Sequence, residues 1–120
     1  MADHNDLGRL GEFKAVEFLT QNGFKILATN WRFRRDEVDV ICQNTDYLVF
    51  VEVKTRSSRE FGDPSDAVTN SKIKHLIEAA EEYIVSNNIE KETRFDVIEV
   101  VADGNQYTIN HIPDAFSPSF

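Results

Sequence analysis

Val38-Asp39-Val40-Ile41-Cys42 and Leu48-Val49-Phe50-Val51-Glu52-Val53-Lys54 decide how this chain is read. Each is a short apolar run holding a carboxylate, and Asn44-Thr45-Asp46 between them suits a hairpin turn. Side chains alternate across a strand, so Glu52 and Lys54 share a face, with Cα atoms about 6.6 Å apart at a rise of about 3.3 Å per residue. Paired strands lie about 4.8 Å apart, which brings Asp39 beside Glu52. Two carboxylates on one sheet face hold a hard cation, and an ammonium beside them stabilises negative charge. That combination suits hydrolysis of a phosphodiester with Mg²⁺.

On the N-terminal side, residues 5–22 place Leu7, Leu10, Gly11, Ala15, Phe18 and Leu19 at helical spacing, with Asn5 or Asp6 as cap and Gly23 past the end. Glu12 sits at the edge of that stripe. Phe24-Lys25-Ile26-Leu27 reads as a short strand, and Asn30-Trp31-Arg32-Phe33-Arg34-Arg35 continues extended to a tight polar turn near Asp36. On the C-terminal side, residues 55–70 are polar and broken by Gly and Pro, which predicts a long loop. Ile73, Leu76, Ile77, Ala80, Tyr83 and Ile84 predict a second helix over 71–86. Residues 94–101 form a strand apolar on both faces, hence covered and central. Tyr107 to Ile112 reads as an edge strand, and from Pro113 the chain reads as a loosely ordered tail.

The fold class is therefore α/β, in the order αβββαβ plus an edge strand. Strands 1 to 3 form an antiparallel meander, a crossover runs through the second helix, and a mixed central sheet carries a helix on each face. The 120 residues fit a single domain, 1–120, with its core over 5–112 and a tail over 113–120.

Composition bounds the partners. Hydrophobic residues make up 41% and charged residues 28%, as in soluble globular proteins. No run approaches the ~18 apolar residues of a membrane span. The start is polar and acidic, unlike a secretory signal, and the single cysteine, Cys42, reads as a buried thiol, so the expected compartment is the cytoplasm. The net charge of −8 argues against strong non-specific nucleic-acid binding. The charge is uneven, however: residues 30–59 carry six basic and five acidic side chains, residues 60–120 four and twelve. Asp39, Glu52 and Lys54 lie in the segment least repulsive to phosphate.

A longer ordered set carries a resemblance. Gly11-Glu12 with Ala15 and Phe18-Leu19, Gly23-Phe24, Asn30-Trp31-Arg32 and Glu37-Val38-Asp39-Val40-Ile41 come first. Val49-Phe50-Val51-Glu52-Val53-Lys54-Thr55-Arg56, Phe61-Gly62 with Pro64 and Ala67, Lys72 and Arg94-Phe95-Asp96-Val97 follow. Over residues 8–116 the chain resembles the YraN-like family of small bacterial proteins. Its element order, carboxylate pair and lysine also resemble the core of the restriction-endonuclease-like superfamily, PD-(D/E)xK, which includes archaeal Holliday-junction resolvases. The resemblance implies a restriction-endonuclease-like core and a Mg²⁺- or Mn²⁺-dependent endonuclease hydrolysing DNA phosphodiesters, on branched DNA by analogy with the resolvases. It implies Asp39, Glu52 and the Val53 carbonyl as metal ligands, and Glu12 binding the metal directly or through water. It implies that Lys54 orients the attacking water or stabilises the pentacovalent transition state. One departure is Asp36, where the family usually has glycine; Asp also tolerates turns.

Each of these residues has a plainer reading. Glu52 with Lys54 fits a solvated pair, Asp39 an ion pair with Lys54 or an arginine, Glu12 a helix-flank charge, and Glu37 a turn charge instead of a third carboxylate. Against that, Val49-Phe50-Val51 leave few exposed positions, and charges there are costly unless paired or bound to a cation. Arg32, Arg34, Arg56 and Lys72, with Arg59, read as contacts to a nucleic-acid backbone or as a solvated face. Trp31 reads as a base-stacking platform or as packing. Arg94 and Asp96 read as framing the central strand. The three histidines are too dispersed for zinc, and no phosphate-binding glycine loop or Gly-x-Ser-x-Gly is present. The alternative to a nuclease is a non-catalytic nucleic-acid-binding or assembly module on the same fold, which the acidic charge and small size favour. A homodimer would enlarge either one's contact surface. A third reading is an interaction scaffold in which residues 60–120 meet a basic partner.

Overall fold

Valine, isoleucine and phenylalanine on both faces of the central strands force a layer onto each side of the sheet. The computed structural model describes residues 4–57 and 69–116. In chain order they form helix α1 (His4–Gln21), strands β1 (Lys25–Phe33), β2 (Asp36–Gln43) and β3 (Tyr47–Ser57), helix α2 (Asn70–Ser86), and strands β4 (Glu92–Asp103) and β5 (Gln106–Phe116). The strands lie side by side in the order β1-β2-β3-β4-β5. β3 and β4 are parallel and the other neighbours antiparallel, so the α/β class and the mixed sheet are as expected.

α1 seals one face: Ala15 and Leu19 pack with Val40, Cys42, Val49, Val51, Ile98 and Val100. α2 seals the other: Leu76, Ile77, Ala80 and Tyr83 pack with Ile41, Leu48, Phe50 and Phe95. Phe50 lies at the centre of this second layer, with ring centroids 5.9 Å from Tyr83 and 5.6 Å from Phe95. Trp31 packs edge-on against Tyr83 at 5.3 Å, which is the packing reading of that residue. Cys42 is buried, and burial, with the Asp96 charge second, pushes its thiol up to about 12. It is an inert core group.

Both helices stop by the same device. Gly23 at φ 88 follows α1, with Phe24 N–H donating to the Leu19 carbonyl and Gly23 N–H to that of Thr20. Asn88 at φ 52 follows α2, with Ile89 N–H on Ile84 and Asn88 N–H on Val85. These are left-handed caps that occupy otherwise orphaned carbonyls. The β2–β3 hairpin forms at Asn44, whose side-chain oxygen accepts from the N–H groups of Asp46 and Tyr47.

Several expectations need correction. α1 begins at His4, so Asn5 and Asp6 stand inside its first turn and do not precede it. Leu10 is 38% exposed and lies outside the apolar stripe. The extended N-terminal run is a single strand, β1, as the order of elements implies, but it is irregular between Ile26 and Ala28 and has Asn30 at φ 50. The tight turn near Asp36 is present, but Arg34 and Arg35, expected in the extended run, form it. β3 runs on to Ser57 because β4 offers it a parallel partner at every residue. Most of the expected loop, including Arg59, Phe61, Gly62, Pro64 and Ala67, lies outside the described residues. The chain after Pro113 is not loose as far as Phe116. Asp96, fully buried on β4, accepts the Asp114 N–H and two hydrogen bonds from Arg94, and it contacts His111 Nε2 at 2.7 Å. Burial by itself would raise this carboxyl; the bonds to His111, Arg94 and the Asp114 amide outweigh it and hold the group below the ordinary value. Phe116 stacks on Phe95 and closes that end of the strand.

Candidate functional site

The site begins where a ladder ends. β2 and β3 pair through Gln43–Leu48, Cys42–Val49, Ile41–Phe50 and Val40–Val51, and there the register stops. The next step would set Asp39 opposite Glu52. Instead Asp39 Oδ2 accepts the backbone N–H of Val53 at 2.8 Å. A side chain thus takes the hydrogen bond that a backbone carbonyl would have accepted, and the strands part. Beyond this point β2 stays with β1 as far as Asp36–Phe33, while β3 stays with β4 to Ser57. The sheet forks, with Asp39 and Glu52 in the crotch.

The fork also rotates β2. Val38 packs in the α2 layer and Val40 in the α1 layer, although residues two apart on a regular strand share a face. The Asp39 carboxylate between them lies near the plane of the sheet and is reached from both sides. On the α2 side it lines a cavity of about 290 Å³ with Arg35, Asp36, Glu37, Glu52, Lys72 and His75. On the α1 side it lines a groove of about 320 Å³ with Arg9, Glu12, Phe13 and Asn30. Glu12 is delivered by the close seating of α1: a Cβ on the adjacent Gly11 would fall 1.8 Å from Thr55 Oγ1 of β3.

Three of the carboxylates converge. Glu12, Glu37 and Asp39 each offer an oxygen, all within 4.8 Å of one another. Oxygens on opposite sides of a Mg²⁺ ion are about 4.2 Å apart, so this set closes on a hard cation with small side-chain shifts. The donor chemistry, all carboxylate oxygen, fits Mg²⁺ or Mn²⁺ as well. Burial, then the charge of Glu52, pushes the Asp39 carboxyl up from its ordinary 3.8 to about 8, with Glu12 adding to the rise. The Val53 N–H and Lys72 pull the other way without cancelling it. Burial, more than any neighbouring charge, is what opposes ionisation of this carboxyl.

The other expected site residues are placed as follows. Glu52 is buried, its side chain 7% exposed, and its Oε1 is ion-paired with Nζ of Lys72 from the first turn of α2. Val53 meets Asp39 through its N–H. Lys54 is exposed, on Glu52's face by strand alternation, and lines neither cavity among the described residues. Arg32 is 76% exposed and lies 3.5 Å from Glu37. Arg34 is exposed beside the Phe33 ring. Arg56 lies 2.8 Å from Glu99, both side chains largely buried, so its guanidinium is committed within the fold. Asp36, the departure from the family pattern, faces His75 Nδ1 at 3.5 Å across the cavity. That contact was not legible in the sequence, because 39 positions separate the two and neither lies on a recognisable motif. Glu37 was weighed as a third carboxylate; the start of β2 at Asp36 puts it in phase with Asp39.

The profile of the Uncharacterised protein family UPF0102 matches residues 11–100. The chain is similar to a UPF0102 protein of Flavobacterium psychrophilum, 50% identical over 97% of this chain and 98% of the relative. It is 45% identical to a UPF0102 protein of Flavobacterium johnsoniae, over 97% and 98% of the two chains. A UPF0102 protein of Bacteroides thetaiotaomicron is 42% identical, over 98% of each.

Proposed function

The chain belongs to the uncharacterised protein family UPF0102, the YraN-like family expected from its sequence, and for it we propose a Mg²⁺- or Mn²⁺-dependent endonuclease that hydrolyses DNA phosphodiesters. The reading includes a restriction-endonuclease-like, PD-(D/E)xK core, with branched DNA as the substrate suggested by analogy. The observation that carries it is the fork, which turns Asp39 out of the ladder and gathers Glu12, Glu37, Glu52 and Lys72 around it.

Asp39 is the central ligand, joined by Glu12 and Glu37 and, from the α2 side, by Glu52 and the Val53 carbonyl. A bound divalent ion supplies Lewis acidity toward the phosphate and its attacking water. Asp39 binds it only as carboxylate, and the Val53 N–H fixes the orientation of that carboxylate. Lys54, exposed one strand repeat past Glu52, reaches the phosphate from the open side. Arg32 and Arg34 stand on the β1–β2 hairpin at the rim and meet the DNA backbone. Among the described residues no helix is long and apolar enough to cross a membrane.

The test is cleavage of single-stranded, duplex and four-way-junction DNA with Mn²⁺. We expect Asp39→Asn, Glu52→Ala and Lys54→Ala each to lower the rate at least about a hundredfold. Equal cleavage by all three variants assigns the activity to a contaminant. The second reading, a non-catalytic nucleic-acid-binding module, is favoured by one observation: the Glu52 carboxylate is already neutralised by an ion pair with Lys72 and so has a partner without a metal. DNA binding without cleavage in the parent chain selects it.

A further inference from the structure

Lys72 sits in the site in a way that a backbone-gripping lysine does not. Its Nζ is paired with Glu52, a carboxylate only 7% exposed at the crotch of the fork, while its own side chain is 45% exposed. The root of the side chain is fixed: Lys72 N–H donates to the Thr69 side-chain oxygen that caps α2. The four-carbon stem is free to turn about that root. Other cations nearby are placed differently. Arg56 is held by Glu99 at 2.8 Å, Arg94 by Asp96 at 2.9 Å, and Lys54, though exposed on Glu52's strand, is not among the residues that line the cavity. Arg35 lines the same cavity from the hairpin turn, but among the described residues Lys72 is the cation paired with Glu52.

We propose that Lys72 is an exchangeable counter-ion: its ammonium holds Glu52 until a divalent cation takes that carboxylate, and the displaced ammonium then binds the phosphate of the DNA. A divalent ion bound by several hard oxygens outcompetes a single ammonium for them. An ammonium released one side-chain length away stands beside the phosphate that the ion attracts. The inference rests on the reading of this cavity as a divalent-cation site and deepens it, giving Lys72 a role distinct from that of Lys54.

The experiment measures Mn²⁺ binding to the full chain by loss of the free-ion paramagnetic signal, in parent, Lys72→Met, Lys72→Arg and Lys74→Met. Lys74 is exposed two residues along the same helix and loses the same charge. Removing the competing charge should tighten Mn²⁺ about tenfold in Lys72→Met, and no more than about twofold in Lys74→Met. Lys72→Arg should stay near the parent. With Ca²⁺ in place of Mn²⁺, binding of a short single-stranded DNA should weaken about tenfold in Lys72→Met relative to Lys74→Met. Unchanged or weaker Mn²⁺ binding in Lys72→Met overturns the proposal, as does DNA binding equal to that of Lys74→Met. Absence of Mn²⁺ binding in every chain overturns both this proposal and the cation site. Tighter Mn²⁺ and weaker DNA binding in Lys72→Met, with no cleavage by any chain, keeps the exchange and overturns only the nuclease.

Discussion

Asp39 carries a proton farther into the alkaline range than an ordinary aspartate, and that has a measurable sign. The folded carboxyl titrates at about 8, against an ordinary 3.8, because burial and the charge of Glu52 oppose ionisation. Between those values the folded state binds a proton that the unfolded state has released. Stability from this group is therefore complete below the lower value and is lost as pH rises through the upper one. In the presence of a chelator, the thermal midpoint should fall as pH rises from about 5 to about 8.5, by the equivalent of about 4 kcal/mol, and Asp39→Asn should remove most of that fall. Parallel profiles for parent and variant would contradict the assignment. A cation must displace the same proton, so Mn²⁺ affinity should climb over the same window. The residue itself was legible, since a carboxylate between Val38 and Val40 has no cheap place in a strand. What was not legible is who faces whom. Glu52, read as facing a metal or solvated beside Lys54, is paired with Lys72, and Arg56, read as gripping phosphate or solvated, is paired with Glu99. Those pairings depend on where α2 and β4 dock, which no local pattern encodes.

Between elements, the seating of α1 on β3 decides whether Glu12 reaches Asp39. Gly11 permits that seating, since a methyl there would overlap Thr55 Oγ1 at 1.8 Å and Thr55 Cβ at 2.7 Å. We expect Gly11→Ala to lift the helix, lowering stability by about 1–3 kcal/mol as overpacking does. It should also weaken Mn²⁺ binding, because Glu12 retreats from Glu37 and Asp39. Adding Thr55→Ala should recover part of both, since it removes the nearest clashing atom. Denaturant unfolding and metal titration of the two chains check this; a stable Gly11→Ala chain with parental Mn²⁺ affinity would rule out the seating argument. The strands and helices themselves followed from periodicity, because their apolar positions repeat cleanly at two or at three to four residues. The expectation failed where long-range partners override local composition. Thr55-Arg56-Ser57 is polar yet extends β3 because β4 lies parallel to it. Residues 113–116 stay in β5 because a buried carboxylate on another strand takes the Asp114 N–H.

For the whole molecule the governing quantity is charge. A chain of net charge −8 meets DNA with few cations to spare, and several of those it has are committed. The pair Arg32–Glu37 is exposed and loose at 3.5 Å, so it costs little to break, and Arg34, Arg35 and Lys54 are exposed beside it or near the fork. A single chain therefore engages about two to four phosphates, and the logarithm of its affinity should fall with the logarithm of salt at a slope of roughly −2 to −4. Calcium in place of Mg²⁺ keeps the site charged while cleavage is suppressed, and removing it should abolish binding, because the carboxylate cluster then repels the backbone. Arg32→Glu with Arg34→Glu should flatten the slope by about two. A parent slope near −6 or steeper requires more cations than one chain presents and makes the DNA-bound unit a dimer, which sedimentation of the complex would show directly. A slope near zero, or binding that survives chelation, would place the contact on a surface other than the fork.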